Sequence, residues 1–228
     1  VGTYNINTEK VSNAITDKTK AIMLPHLLGN SNEMDSIMDL VNENDLLLIE
    51  DVCDGLGSMY DGKKLGSFGD FGTFSFYPAH QITLGGEGGA ITSSNKQFIT
   101  LAKSLRGWGR SWKESIEINP DISDMPADYE ANYTFYTRGF NYKPVEMQAA
   151  MGLIQLNKLK AFNDIRKRNF NIIFDELQTY DDKIILPESP KKSETVWYSF
   201  PITIRENTSL KRKQVLDTLS HYNIEVKC

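Results

Sequence analysis

The order strand, helix, strand within the first fifty residues restricts this chain more than any other feature. Lys20-Ala21-Ile22-Met23-Leu24 has the pattern of a short buried strand. Residues 34–44 follow as a helix, with Met34, Ile37, Met38 and Val41 at helical spacing. Leu46-Leu47-Leu48-Ile49 is then an apolar run of strand length that ends at Glu50-Asp51. Such a βαβ unit predicts an α/β fold whose sheet is mostly parallel and covered on both faces. Ligands of such sheets collect beyond the carboxyl ends of the strands, and Asp51 stands at one of them.

Residues 73–77 read as another strand, residues 85–89 as a glycine-rich turn, residues 90–92 as a strand and residues 97–105 as a helix. Residues 106–136 are irregular, polar and rich in aromatics, and a loop this long inside a compact domain is usually functional. A long helical pattern runs from Pro144 to about Tyr180, with Met147, Ala150, Ile154, Leu156 and Leu159 as its apolar face. After Pro187 and Pro190 the pattern changes to a strand over residues 197–204 and a helix over 210–219. We expect a boundary near residues 180–192, with a large domain over 1–180 and a smaller α+β domain over 192–228. The chain starts at Val1 in what reads as an extended stretch, and residues 223–227 begin to read as a strand just before Cys228. Both ends lead us to expect a piece of a longer protein.

A net charge of −5 argues against a nucleic-acid-binding surface, but backbone N–H groups and hydroxyls can still hold a phosphate. No apolar run is long enough to cross a membrane, no signal peptide opens the chain, and two cysteines make no disulfide framework, so a cytoplasmic setting is the default. Asp51, at a strand end, can pair with a protonated pyridine nitrogen, or it is a helix cap or a solvated loop acid. Ser75 and the downstream glycines can hold a phosphate, or they are a strand residue and a turn. His80, one of three histidines, can move protons near neutral pH, although a loop histidine is commonly a surface residue. Cys53 reads as a small buried hydrophobe.

Taken together these residues resemble a family. Glu50-Asp51-Val52-Cys53-Asp54, Gly66-Ser67-Phe68-Gly69-Asp70, Phe74-Ser75-Phe76-Tyr77-Pro78, Gly86-Glu87-Gly88-Gly89-Ala90 and Arg138-Gly139-Phe140-Asn141-Tyr142-Lys143-Pro144 occur in the order of the DegT/StrS sugar aminotransferases. The resemblance implies the fold type I architecture of pyridoxal 5'-phosphate enzymes, with the later large domain and the start of the small one. It also implies roles: Asp51 as partner of the pyridine nitrogen, Ser75 as a phosphate ligand, and Asn141 as a phosphate ligand reaching into the neighbouring subunit of a homodimer with shared sites. Asp54 stands where the aminotransferases usually have a glutamine that contacts the cofactor's ring hydroxyl.

His80 is the decisive departure, because the aminotransferases of this family have a lysine there. A histidine forms no stable imine but can remove a proton. Phe76-Tyr77-Pro78-Ala79-His80-Gln81-Ile82-Thr83 resembles the branch that has made this replacement, the CDP- and GDP-linked 4-keto-6-deoxysugar 3-dehydrases. That branch implies pyridoxamine 5'-phosphate bound without a covalent link, a nucleotide-linked 4-keto-6-deoxysugar as substrate, His80 as the base, and glutamate as an amine donor. The CDP-sugar enzyme carries a 2Fe–2S cluster on four cysteines. Here Cys53 matches the first, but the other three positions fall on Ser111, Lys113 and Asp121. One cysteine cannot hold a cluster, so no iron–sulfur cluster is expected.

Overall fold

The computed structural model describes residues 2–111, 126, 133–135 and 137–227. A four-stranded sheet forms its frame, in the order β1 (Ala21–Pro25), β2 (Leu47–Asp51), β5 (Phe71–Ser75), β6 (Gly89–Thr92). Two short strands, β3 (Met59–Tyr60) and β4 (Lys63–Lys64), lie outside it. β1, β2 and β5 are parallel, with Pro25 beside Asp51 and Asp51 beside Thr73, whereas β6 runs antiparallel to β5. This is the mostly parallel α/β sheet expected from the βαβ pattern.

Helix α2 (Met34–Glu43) buries Met34, Ile37 and Val41, the i, i+3 and i+7 positions of one face, against Leu24 and Leu48. An additional helix, α1 (Thr8–Ala14), has only seven residues; the side chain of Asn7 caps it by accepting from the Lys10 N–H. α3 spans Lys96–Arg106, and Asn95 caps it through the N–H groups of Gln97 and Phe98.

The strand expected over residues 73–77 ends at Ser75. The Ser75 hydroxyl accepts the Tyr77 N–H and Pro78 has none to give, so the chain turns away from the ladder. The long helix is α4 (Glu146–Leu177). Its seat against the chain is not the apolar face expected from the sequence: Met147 is 73% exposed and Ile154 57%. Gly152 and Asn163 are buried instead. Leu84 fits into the space a side chain on Gly152 would fill, and the Asn163 amide donates to the Leu56 carbonyl. The small residue lets the helix axis approach, and the apolar residues then face outward.

After α4 the chain returns to the first unit. β8 (Ser193–Glu194) pairs with β3, and Trp197 stacks on Phe170 of α4 at 5.3 Å. β7 (Ile184–Ile185) pairs with β9 (Thr203–Ile204). The strand expected over residues 197–204 is therefore confined to its last two positions. Two residues here give their N–H groups to loops: Val196 to the Ser58 hydroxyl and Tyr198 to the Leu28 carbonyl. The last helix, α5 (Arg212–His221), closes with Asn223 at φ 56°, the Ile224 N–H donating to the Leu219 carbonyl and the Asn223 N–H to Ser220. This Schellman motif occupies the N–H groups of residues 223 and 224, and residues 223–227 form no strand. Among the described residues no helix is long and apolar enough to cross a membrane.

Candidate active site

Asp51 ends β2 and Ser75 ends β5, so the parallel strands deliver both to the same edge of the sheet. One Asp51 oxygen, Oδ1, accepts the Cys53 N–H at 3.0 Å, which folds the loop after β2 back on itself. Burial and the neighbouring Asp51 and Asp54 carboxylates push the Cys53 thiol up to about 12, so it stays protonated at neutral pH.

Asp54 follows one residue on. Its Oδ2 accepts the Leu28 N–H at 3.2 Å, and its Oδ1 lies 3.6 Å from Nδ1 of His80. Burial raises the Asp54 carboxyl above its ordinary value, a shift opposed by the Leu28 N–H and by His80 and reinforced by Asp51. Leu28 sits at φ 56°, ψ 21°, a left-handed conformation that costs a residue with a Cβ on the order of 1–2 kcal/mol. Gly29 follows at φ 85°.

His80 is held from several sides. Its N–H donates to the Tyr77 carbonyl, closing the turn through Pro78. The next residue, Gln81, is buried and its amide donates to the Asp54 carbonyl. Tyr198 donates its hydroxyl to the Ala79 carbonyl at 2.5 Å, and its ring lies 5.8 Å from the imidazole. Arg166 of α4 donates to the Tyr198 carbonyl at 3.0 Å. The glycine-rich turn follows, with Gly85 at φ 77° against Met151 of α4.

Thus Asp51, Asp54, Ser75 and His80 meet at one sheet edge. Asn141 does not join them: it is exposed and bridges to Gly107 just beyond α3. Ser111 is buried and its N–H donates to the Thr134 carbonyl, while Lys113 and Asp121 lie outside the described residues. Tyr198 and Leu28 carried no signal in the sequence, and Gln81 only as part of the motif around His80.

The sequence profile of the DegT/DnrJ/EryC1/StrS aminotransferase family matches residues 1–228. The chain belongs to that family. It is 37% identical over 232 residues to the lipopolysaccharide biosynthesis protein RfbH of Salmonella typhimurium, covering 98% of this chain and 53% of the relative. It is 38% identical to the dTDP-4-dehydro-2,6-dideoxy-D-glucose 3-dehydratase of Saccharopolyspora spinosa, over 98% of this chain and 50% of that one. A GDP-perosamine synthase of Caulobacter vibrioides is 32% identical over 98% and 55%. The solved structure of E. coli GDP-4-keto-6-deoxy-D-mannose-3-dehydratase with bound hydrated PLP superposes with a TM-score of 0.86 at 30% identity, covering 98% of this chain and 57% of that one. The chain therefore has the fold of this pyridoxal-phosphate-dependent family, and it spans about half the length of the curated relatives it matches.

The Leu28–Gly29 turn joins the parts of the site. A Cβ on Gly29 would come within 2.4 Å of the Val196 carbonyl and 2.9 Å of the Asp54 carbonyl, at a φ that L-residues disfavour. Gly29→Ala is expected to cost about 2–4 kcal/mol and to loosen residues 196–198 from the site. Urea melts of the purified variant measure it; a midpoint equal to the parent's overturns the assignment.

Proposed function

We propose that the protein is a pyridoxamine/pyridoxal 5'-phosphate-dependent 3-dehydratase acting on a nucleotide-linked 4-keto-6-deoxyhexose, in deoxysugar or lipopolysaccharide biosynthesis. One observation carries this reading. The residue between β5 and the glycine-rich turn is a histidine set beside a carboxylate, and no lysine occurs between Lys64 and Lys96. The dehydratases among the relatives support it. In this reading residues 1–180 are the later part of the large cofactor-binding domain, residues 192–228 begin the small one, and the enzyme works in the cytoplasm.

The residues fit such a cofactor. Asp51 keeps one carboxylate oxygen beyond its Cys53 contact for a pyridinium nitrogen, and its negative charge holds that nitrogen protonated. The Ser75 hydroxyl accepts from Tyr77 and retains its own proton for a phosphate oxygen. Asp54 lies on the same side, beside the imidazole. When bound, the cofactor supplies the amine and the electron sink, and glutamate is the donor that restores the amine. His80 takes a proton and returns it to the departing 3-hydroxyl, which leaves as water. The cluster positions matched by residues 111, 113 and 121 carry no cysteine, so the product is the 3-deoxy-4-keto sugar formed by hydrolysis, which would release the amine as ammonia and leave the cofactor as the aldehyde that glutamate converts back.

The test is to incubate the full-length protein with pyridoxamine phosphate and, in turn, CDP- and GDP-linked 4-keto-6-deoxyhexoses. Loss of one oxygen atom from the sugar by mass, with release of ammonia, supports the reading. Transfer of an amino group to C4 supports the second reading, an aminotransferase, which the GDP-perosamine synthase relative favours. Borohydride should leave no pyridoxyl group on a lysine, and one that is fixed there refutes the assignment.

We also propose a homodimer in which Asn141 reaches the neighbour's site. The exposed apolar residues of α4, among them Met147, Leu153 and Ile154, support an apolar contact with a second copy. Loss of a phosphate ligand costs about 1.5–3 kcal/mol, so Asn141→Ala should weaken pyridoxamine phosphate binding by about one to two orders of magnitude. Where both lesions are severe alone, mixing it with His80→Asn chains should recover activity that neither parent has. No recovery from heterodimers verified by mass would place Asn141 in its own chain's site.

A further inference from the structure

We infer that Asp54 is a positioning residue for His80, which holds the imidazole in the Nδ1–H form and leaves Nε2 as the atom that moves the proton. The inference rests on the reading of His80 as the proton-transferring group and adds the device that prepares it.

Three observations carry it. Nδ1 of His80 is buried and has no hydrogen-bond partner among the described residues, a costly state for a polar atom. The nearest charged group is Asp54 Oδ1 at 3.6 Å, too long for a hydrogen bond and short enough that closing about half an ångström makes one. Asp54 is itself fixed from the far side, its Oδ2 on the Leu28 N–H and its carbonyl under the Gln81 amide. An ionised carboxylate only accepts, so it selects the tautomer that donates from Nδ1.

The other groups around the imidazole do not compete for Nδ1. Tyr198 spends its hydroxyl on the Ala79 carbonyl, and Tyr77 meets the ring edge-on at 6.3 Å between centroids. Asp51 acts on Asp54 through its charge, and Arg166 lies over the Tyr198 ring at 5.9 Å and donates to the Tyr198 carbonyl. The same base-and-orienter logic governs hydrolytic triads, where the carboxylate sets the tautomer and does not take the proton. In that arrangement the proton enters and leaves at Nε2.

The chain also contains an internal reference. His26 accepts the Asn32 N–H on Nδ1 and donates from Nε2 to Glu50, the opposite tautomer. In protein labelled with 15N-histidine, at a pH where the rings are neutral, ring correlations should give Nε2–H for His26 and Nδ1–H for His80, assigned by its loss in His80→Asn. Asp54→Asn should reduce the His80 Nδ1–H form to a minority, leave His26 unchanged, and lower kcat by about 10²–10⁴-fold, the range of orienting carboxylates in such pairs. Pyridoxamine phosphate affinity, read by fluorescence, is the separate readout for any contact of Asp54 with the cofactor, because the tautomer is read without it.

Nε2–H for His80 in the parent protein overturns the inference, and this measurement needs no folded variant. So does an Nδ1–H signal that persists in Asp54→Asn. A variant that loses cofactor affinity with no tautomer change would assign Asp54 to the cofactor alone. The tautomer readout uses neither substrate nor cofactor, so failure to dehydrate any sugar would refute the proposed function and leave the Asp54 assignment standing.

Discussion

His80→Asn is expected to lower dehydration by about 10²–10⁴-fold, the usual contribution of a positioned acid–base group. Asparagine matches part of the imidazole's shape and polarity but exchanges no proton near neutral pH. The fold should survive, because His80 is only half-buried and its loop is anchored by neighbours: Gln81 on the Asp54 carbonyl, Ile82 and Leu84 in the interior, and Tyr198 on the Ala79 carbonyl. Single-turnover measurement of 3-deoxy product formation separates this effect from substrate binding. Turnover equal to the parent's would remove His80 from the chemistry. His80→Lys adds a second arm, because it restores a primary amine: borohydride should then fix a pyridoxyl group at residue 80, while dehydration remains impaired.

The largest stability effect is expected at Glu50. Its side chain is fully buried and accepts from the N–H groups of Gly66, Phe68 and Gly69 at 2.8, 2.7 and 2.9 Å and from Nε2 of His26 at 3.1 Å. Burial opposes the charge, but the His26 hydrogen bond and the backbone N–H groups of Gly69 and Gly66 outweigh it, and the carboxyl is held below its ordinary 4.5. Glu50→Ala leaves His26 and three backbone donors without an acceptor in the interior. Breaking such a buried constellation costs about 3–5 kcal/mol. For a chain of this size that is a fall in Tm of about 6–20 °C.

The sign of the pH dependence follows from the depressed value. Above 4.5 the carboxylate is charged in both states and its contribution is complete. As pH falls below 4.5 the unfolded chain takes up the proton first, and the contribution is lost progressively until the folded carboxyl has titrated too. Urea midpoints measured from pH 7 downward should fall more steeply in the parent than in Glu50→Ala. Parallel profiles would refute this account.

The frame of the fold was legible because each element carries its own periodicity. Helix α2 shows one buried stripe at 34, 37 and 41, and β2 an apolar run ending in Glu50-Asp51. The reading was weakest where non-local bonds overrule local pattern. Residues 197–204 have strand-like composition, yet Val196 and Tyr198 give their N–H groups to Ser58 and Leu28. α4 had a clear helical period, but the face it turns to the chain is chosen by Gly152 and Asn163, whose value lies in what they meet.

The candidate site divides in the same way. The sequence by itself determined which chemistry was available: a carboxylate at a strand end, a hydroxyl at the next, a histidine in the turn after it. Those are properties of residue type and order along β2, β5 and the turn after it. Only the tertiary structure decided what each group faces. Tyr198 reaches the carbonyl of Ala79 from 119 residues away, and Asp54 meets both Leu28 and His80, each 26 residues from it along the chain. Contacts at such separations leave no period in a single sequence, because they are fixed by where strands and α4 bring distant loops together and not by any neighbour in the chain. The tautomer of His80 is decided at that level.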